Sequence, residues 1–437
     1  MKKRRAARAA IGNGTLCLAA WMLGASLVTA AEPPLTLAEA QRRAVERSTA
    51  LKAQDAAVSA SREMAVAAAR LPDPVATVGI NNLPVDGPDA WSVTSDFMTM
   101  RSIGLMQEFT REDKRRARAE RFEREADKSA AEKSARLTAI RRDTALAWLD
   151  RYYVEAQLEV LAEQTRQARV EIEAAETAYR SGRGALAEVL AARGALVSLD
   201  DRASELARRR SAARIALARW VGDAADLPLA GKPAIDAIDV DPRTLDSELE
   251  HEPQVAMLAS QERVADAEVR EAQSNKKPDW TVQVMYSLRG PSFSNMISVG
   301  VSVPLQWDQA HRQDREVAAK LALLDRARAE REDMLRARAA ELRAMLAEWE
   351  SDRERRLRYE RELVPLAAER TQATLAAYRG SKASLTELLL ARRNEIDVRL
   401  QALQLEMETA RVWAQLAFAF AGHDGESAAS DPMRNAQ

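Results

Sequence analysis

Ile297, Val299, Val301, Val303 and Leu305 are apolar at every second position, and Ser298, Gly300 and Ser302 stand between them. A two-residue period gathers one class of side chain on one face of an extended chain, which predicts a strand with a single apolar face. Trp280, Val282, Val284, Tyr286 and Leu288 alternate in the same way with Thr281, Gln283, Met285 and Ser287. The break between the two runs, Arg289-Gly290-Pro291-Ser292, makes them a hairpin. A weaker pair comes earlier: Val75 to Asn81, the turn-rich Asn82-Leu83-Pro84-Val85-Asp86-Gly87-Pro88, then roughly Met98 to Phe109.

Elsewhere the apolar period lengthens to seven. Leu321, Leu335, Leu342 and Trp349 share one grid, broken by Arg328, and Leu389, Ile396, Leu403 and Ala410 share another. Sevens predict helices packed as coiled coils. No proline lies between Pro88 and Pro228, and no glycine from Asp113 to Tyr179. At about 1.5 Å per residue that stretch makes a helix on the order of 100 Å long. Arg312 to Tyr378 repeats the length, with a bend or interruption expected at Pro365. Each long stretch ends at glycine, in Ser181-Gly182-Arg183-Gly184 and in Gly380-Ser381. Two glycines in three residues cost a helix about 2 kcal/mol against alanine, so these junctions read as hairpin tips.

The two halves are copies. Ala178 to Arg193, AYRSGRGALAEVLAAR, returns as Ala377 to Arg392, AYRGSKASLTELLLAR. Leu71-Pro72-Asp73-Pro74 returns as Lys277-Pro278-Asp279-Trp280, Met100-Arg101-Ser102-Ile103-Gly104 as Met296-Ile297-Ser298-Val299-Gly300, and Trp220-Val221-Gly222 as Phe420-Ala421-Gly422. A spacing this long exceeds the roughly 20 to 50 residues of solenoid repeats, so a whole multi-element unit is duplicated. The expected organisation is a signal peptide over 1–30, a first repeat over 31–228, a second over 229–422 and a disordered tail over 423–437. Each repeat runs helix, two strands, long helical hairpin.

Composition narrows the function. Met1-Lys2-Lys3-Arg4-Arg5, the apolar stretch from about Leu16 to Val28 and the small residues Val28-Thr29-Ala30 form a secretory signal. The single cysteine, Cys17, lies inside it behind Leu16, so the mature chain is expected to lack thiols and a lipid anchor. With 65 basic and 66 acidic residues, bulk charge suggests no nucleic-acid partner. His251, His311 and His423 have no metal-ligand spacing. There is no phosphate loop, nucleophile set or paired metal motif, so neither enzyme nor cofactor is indicated.

The strands approach the roughly 9 to 11 residues that cross a bilayer, and Trp91, Trp280, Tyr286 and Trp307 lie on or near them, where interfacial aromatics belong. A small soluble sheet packed on helices has the same pattern. Closed barrels begin at about eight strands, so a membrane reading of four requires a barrel shared between chains.

Over essentially the whole mature chain, from Leu35-Thr36-Leu37-Ala38-Glu39-Ala40 to Gly422, the sequence resembles the TolC-like outer membrane factors, also called outer membrane efflux proteins. Tyr179-Arg180-Ser181-Gly182, Tyr378-Arg379-Gly380 and the duplicated order of parts carry the resemblance. Leu71-Pro72-Asp73-Pro74, Asn82-Leu83-Pro84, Asp96-Phe97-Met98-Thr99-Met100-Arg101 and Gly104-Leu105-Met106-Gln107-Glu108 look like its heavy-metal branch, the CzcC and CusC type. The absence of a lipidated cysteine departs from many members of the latter group. The resemblance implies a mainly α fold, with long coiled-coil hairpins building a periplasmic α-barrel. Each protomer adds four strands to a shared trimeric transmembrane barrel. It further implies a homotrimeric exit duct in outer membrane lipid with a large periplasmic extension. Such a duct works with a periplasmic adaptor and an inner-membrane pump of the RND type, on heavy metals or, alternatively, on drugs or secreted proteins. A periplasmic adaptor and a soluble coiled coil are the competing readings, but an adaptor has one hairpin, not two.

The same resemblance makes Tyr179, Arg180, Gly182 and Arg183, with Tyr378, Arg379, Gly380 and Lys382, the adaptor-contacting tips. The alternative is ordinary solvated turn charge. Gly182 and Gly380 are expected to supply backbone conformations closed to other residues. Glu387 matches an acidic ring near the entrance of related ducts, and three such carboxylates would select cations. Ser384-Leu385-Thr386-Glu387 is equally a capping box, which would commit the glutamate to its own helix start. Glu188, with Ala185 in the serine's place, is the control. Met98, Met100 and Met106 share parity and thioether chemistry suited to soft metals, with packing or lipid contact as the plainer reading.

Overall fold

The computed structural model describes residues 33–238 and 244–419. The signal segment with Cys17, the Phe420-Ala421-Gly422 echo, His423 and the tail fall outside them. The first repeat begins with α1 (Leu37–Arg47) and α2 (Thr49–Ala68). These are one helix in the sequence reading but are split at Ser48, whose side chain accepts from the Leu51 N–H and restarts the helix. Then come β1 (Val75–Asn81), β2 (Met100–Phe109), α3 (Glu112–Arg180) and α4 (Leu186–Val221). The second repeat has a short α5 (Leu245–Glu248), α6 (Pro253–Ser274), β3 (Trp280–Leu288) and β4 (Met296–Ser302). It closes with α7 (Gln313–Arg358), α8 (Val364–Arg379) and α9 (Leu385–Ala417).

At 69 residues, α3 is about 100 Å long. Its counterpart is not a plain α-helix, because α7 and α8 are joined by a π turn over Tyr359–Leu363. Pro365 has no N–H for the carbonyl four residues earlier, and the widened turn absorbs the misfit without breaking the rod. On the predicted grids Leu342, Trp349, Ile396 and Ala410 are buried, whereas Leu321 is exposed within the single chain.

The main core lies where both repeats meet, around Leu35, Trp148, Tyr153, Leu217, Ile235, Leu342, Trp349 and Trp413. Here the duplication is visible in hydrogen bonds as well as in element order. Trp148 Nε1 donates to the Leu35 carbonyl at 3.0 Å, and Trp349 Nε1 donates to the Ile235 carbonyl at 3.1 Å. In each repeat an indole from the long helix pins the extended segment that leads into that repeat.

The four strands form one antiparallel sheet in the order β1-β2-β3-β4. β4 stops at Ser302, short of the Leu305 that alternation suggested, since Pro304 cannot donate to a ladder. Register places Val78, Ile103, Tyr286 and Ile297 in one row across the sheet, and Ala76, Leu105, Val284 and Val299 in the next. This face is open: Val78 is 83% exposed and Ile297 71%. The opposite face carries Thr77, Asn81, Ser102, Gln283, Ser287, Ser298 and glycines.

Candidate functional site

Two places carry the functional candidates, the helical tips and the sheet. At the first tip α3 ends in a Schellman turn, with Arg183 N–H donating to Ala178 O at 2.9 Å and Gly182 at φ +72°. The second tip repeats the bonds, Lys382 N–H to Ala377 O at 2.8 Å. Its left-handed residue, however, is Ser381 at φ 55°, while Gly380 sits at φ −84°. The expectation for Gly380 is therefore corrected. Aligned from the tyrosines, Gly182 corresponds to Ser381 and Gly380 to Ser181, so the glycine is displaced by one residue between copies.

The structure brings the tips together. Val189 and Ala192 of α4 and Leu385 and Leu388 of α9 bury one another beside Ala175. Arg392 Nε crosses to Glu171 at 2.9 Å, and Arg193 pairs with Glu176 at 2.5 Å. Tyr179 is 46% exposed, with Arg180, Arg183, Arg379 and Lys382 also in solvent. Tyr378 is half-buried, and burial, reinforced by Glu188 and Glu171, pushes its phenol above the usual range. The two tyrosines thus have different surroundings, one packed and one free.

Glu387 forms the capping box in full. Ser384 N–H donates to its Oε2 at 2.7 Å, and Glu387 N–H donates to Ser384 Oγ at 3.2 Å. The Ser384 N–H, joined by the Ser384 hydroxyl at 3.1 Å from the same oxygen, holds its carboxyl below the ordinary range. Glu188 keeps half of the arrangement, accepting from Ala185 N–H at 3.2 Å. That arm needs only a backbone donor, which any non-proline residue supplies, so Glu188 is a partial cap and not the capless control expected from sequence.

The sheet joins the helices through charges that sequence reasoning passed over. Lys114 Nζ lies 2.6 Å from Asp279 Oδ2, both largely buried, and Arg111 N–H donates to Asp279 Oδ1 at 3.0 Å. Lys277 reaches back to Asp113 at 2.9 Å in the open. The duplicated Pro-Asp step before β3 was the available signal. Phe109 stacks on Trp280 at 4.5 Å at this end of the sheet, and Trp307 is exposed nearby in sequence, while Trp91 lies in the loop at the far end. Met98 lies in that loop, before β2, and Met100 and Met106 are on the polar face, not the apolar one. Among the described residues no three His, Cys, Asp or Glu side chains converge to hold a metal, and no helix is long and apolar enough to cross a membrane.

Residues 40–223, nearly the whole first repeat, match the outer membrane efflux protein family. No curated protein matches the chain in sequence. Several solved structures share its fold, the TolC-like α-barrel channel protomer. VceC, an outer membrane protein of Vibrio cholerae, is 17% identical over 88% of this chain and 95% of its own, with a TM-score of 0.71. CusC is 16% identical over 88% and 92%, with a TM-score of 0.75. The CmeC outer membrane channel of Campylobacter jejuni is 14% identical over 94% of both, also at 0.75. The matching family and these neighbours are channel proteins, not enzymes, and the structural matches, at 88% or more of the chain, take in both repeats.

Proposed function

We propose that the chain is the outer-membrane exit duct of a tripartite efflux system, a passive homotrimer whose helices project into the periplasm. The observation that carries this is the sheet. It shows one apolar face in the open and one polar face, and its edge strands β1 and β4 have no partner strand among the described residues. Three copies joined edge to edge give twelve strands, with apolar side chains toward lipid and the polar face around a wet lumen. Lateral closure satisfies the edge N–H and C=O groups that a bilayer would leave stranded.

In this reading the paired tips receive a periplasmic adaptor that links the duct to an inner-membrane RND-type pump. Arg180, Arg183, Arg379 and Lys382 supply charged donors to it. Tyr179, free at the surface, makes a better contact residue than Tyr378, which packs between hairpins. Glu387 serves first as a cap, and any effect on cation passage follows from where the trimer places that helix start. The cargo is a heavy-metal cation, selected by the pump.

The protein purified in detergent should have the mass of a trimer by light scattering and conduct ions across planar bilayers. A monomer that forms no channel would sink the reading. A deletion strain should become sensitive to zinc, cobalt, cadmium, copper or silver and not to dyes and detergents. The reverse pattern overturns the cargo assignment alone.

A further inference from the structure

The sequence marks Met98, Met100 and Met106, but cross-strand register reorganises them. On the polar face of the sheet stand four methionines, Met100 and Met106 on β2, Met285 on β3 and Met296 on β4. The apolar face has none, although that is where a flexible hydrophobic side chain is usually placed. Its positions are filled by valine, isoleucine, leucine and aromatic residues, with a few polar side chains toward the ends. The partition is therefore by chemistry, with thioethers toward the lumen and hydrocarbon toward lipid.

Three of the four form a row. Met106 is opposite Gln283, and Met285 is opposite Gly104, so Met106 and Met285 are diagonal neighbours on adjacent strands. Met285 is opposite Ser298, and Met296 opposite Ser287, which makes the next diagonal step. Diagonal neighbours lie about 7–8 Å apart, within reach of long side chains. The wall around them is bare: Gly104 and Gly300 flank Met285, and a Cβ added at Gly104 would stand 3.6 Å from Met285 Cβ. Met296 is 45% exposed. Met100, opposite Asn81 at the far rim, stands outside the row. Beside the row stand Thr281, Gln283, Ser287 and Ser298, with Val75 opposite Met106 and the exposed Glu108 carboxylate two residues along β2 on the same face.

We propose that the adjacent thioether pairs, Met106 with Met285 and Met285 with Met296, form low-affinity sites for soft monovalent cations, Ag⁺ or Cu⁺, on the lumen wall. The inference rests on the duct reading for what it calls the lumen. Thioether sulfur is a soft neutral ligand that favours these ions over Zn²⁺ or Mg²⁺. A pair of neutral thioethers holds an ion weakly enough to release it, as a conduit requires.

The test is silver binding to the purified protein in detergent, using silver nitrate in chloride-free buffer and a Cys17→Ser background. Isothermal titration gives the affinity, and X-ray absorption gives the ligand atoms. The expected result is a sulfur shell around silver in the parent and an affinity weakened about tenfold or more in Met106→Leu/Met285→Leu/Met296→Leu. Leucine keeps the volume, so folding is preserved. Met64→Leu, on the exposed side of α2, should bind as the parent does. Absent binding, a shell without sulfur, or equal affinity in the triple variant overturns the proposal. Potassium conductance is measured on the same samples: silver binding without conductance defeats the duct reading, and conductance without silver binding defeats the site.

Discussion

Lys114→Ala removes half of the buried pair that ties the longest helix to the sheet. Asp279 keeps its charge, with its side chain only 16% exposed, and retains just the Arg111 N–H as a partner. Stranding one member of a buried pair costs about 3–5 kcal/mol. At about 1.4 kcal/mol per factor of ten, the lower bound is roughly a hundredfold rise in local opening. Native-state hydrogen exchange reads that opening directly. Amides of 110–116 and 279–283 should exchange about a hundredfold faster, and those of the tips should not change. Lys277→Ala removes the same charge from an exposed pair and should cost less than about 1 kcal/mol. Lys114→Met/Asp279→Leu should recover most of the protection, because no orphaned charge remains. If the two single lysine variants respond alike, burial is not what gives the Lys114 pair its weight, and the reasoning fails.

At the second tip, Ser381→Gly relieves a side chain from the left-handed region and should slow exchange at 378–386 by about 1 kcal/mol, while Gly182→Ser should cost the first tip a similar amount. Leu388→Ala opens a cavity shared by both hairpins; a loss of about 2–5 kcal/mol is expected by urea unfolding of the tip region, with the sheet unaffected. Lys277 and Arg111 draw the Asp113 carboxyl down to about 2, from an ordinary 3.8. A depressed carboxyl stabilises the fold above its unfolded value, so the parent's advantage over Asp113→Asn should be constant above pH 3.8 and disappear as pH falls through about 2. Thermal unfolding of the two proteins across that range checks it.

The strands and the long helices were legible because both follow from short apolar periods, and the boundaries of β1 and β3 fall where alternation put them. Features that depend on chains crossing were not. Met285 and Met296 drew no notice, since a row across three strands leaves no trace along any one of them. The Lys114 to Asp279 pair spans the two repeats and likewise has no local pattern. Gly380 misled for a different reason. Glycine permits a positive φ but does not require one, and the hydrogen bonds of the Schellman turn assign that conformation to the next residue. The capping box around Glu387 was readable because its partners lie three residues apart, and both bonds are present.

In the proposed trimer, the unpaired edges of the sheet also dictate an order of events during biogenesis. The helices can complete their hydrogen bonds in water as soon as the chain is exported, but β1 and β4 have no such option and are templates for the wrong neighbour. A lone protomer is thus a finished rod attached to an unfinished wall. Its lifetime sets the risk of aggregation, and the cell must either meet it with a holdase or deliver three copies to one patch of membrane faster than stray edges find each other.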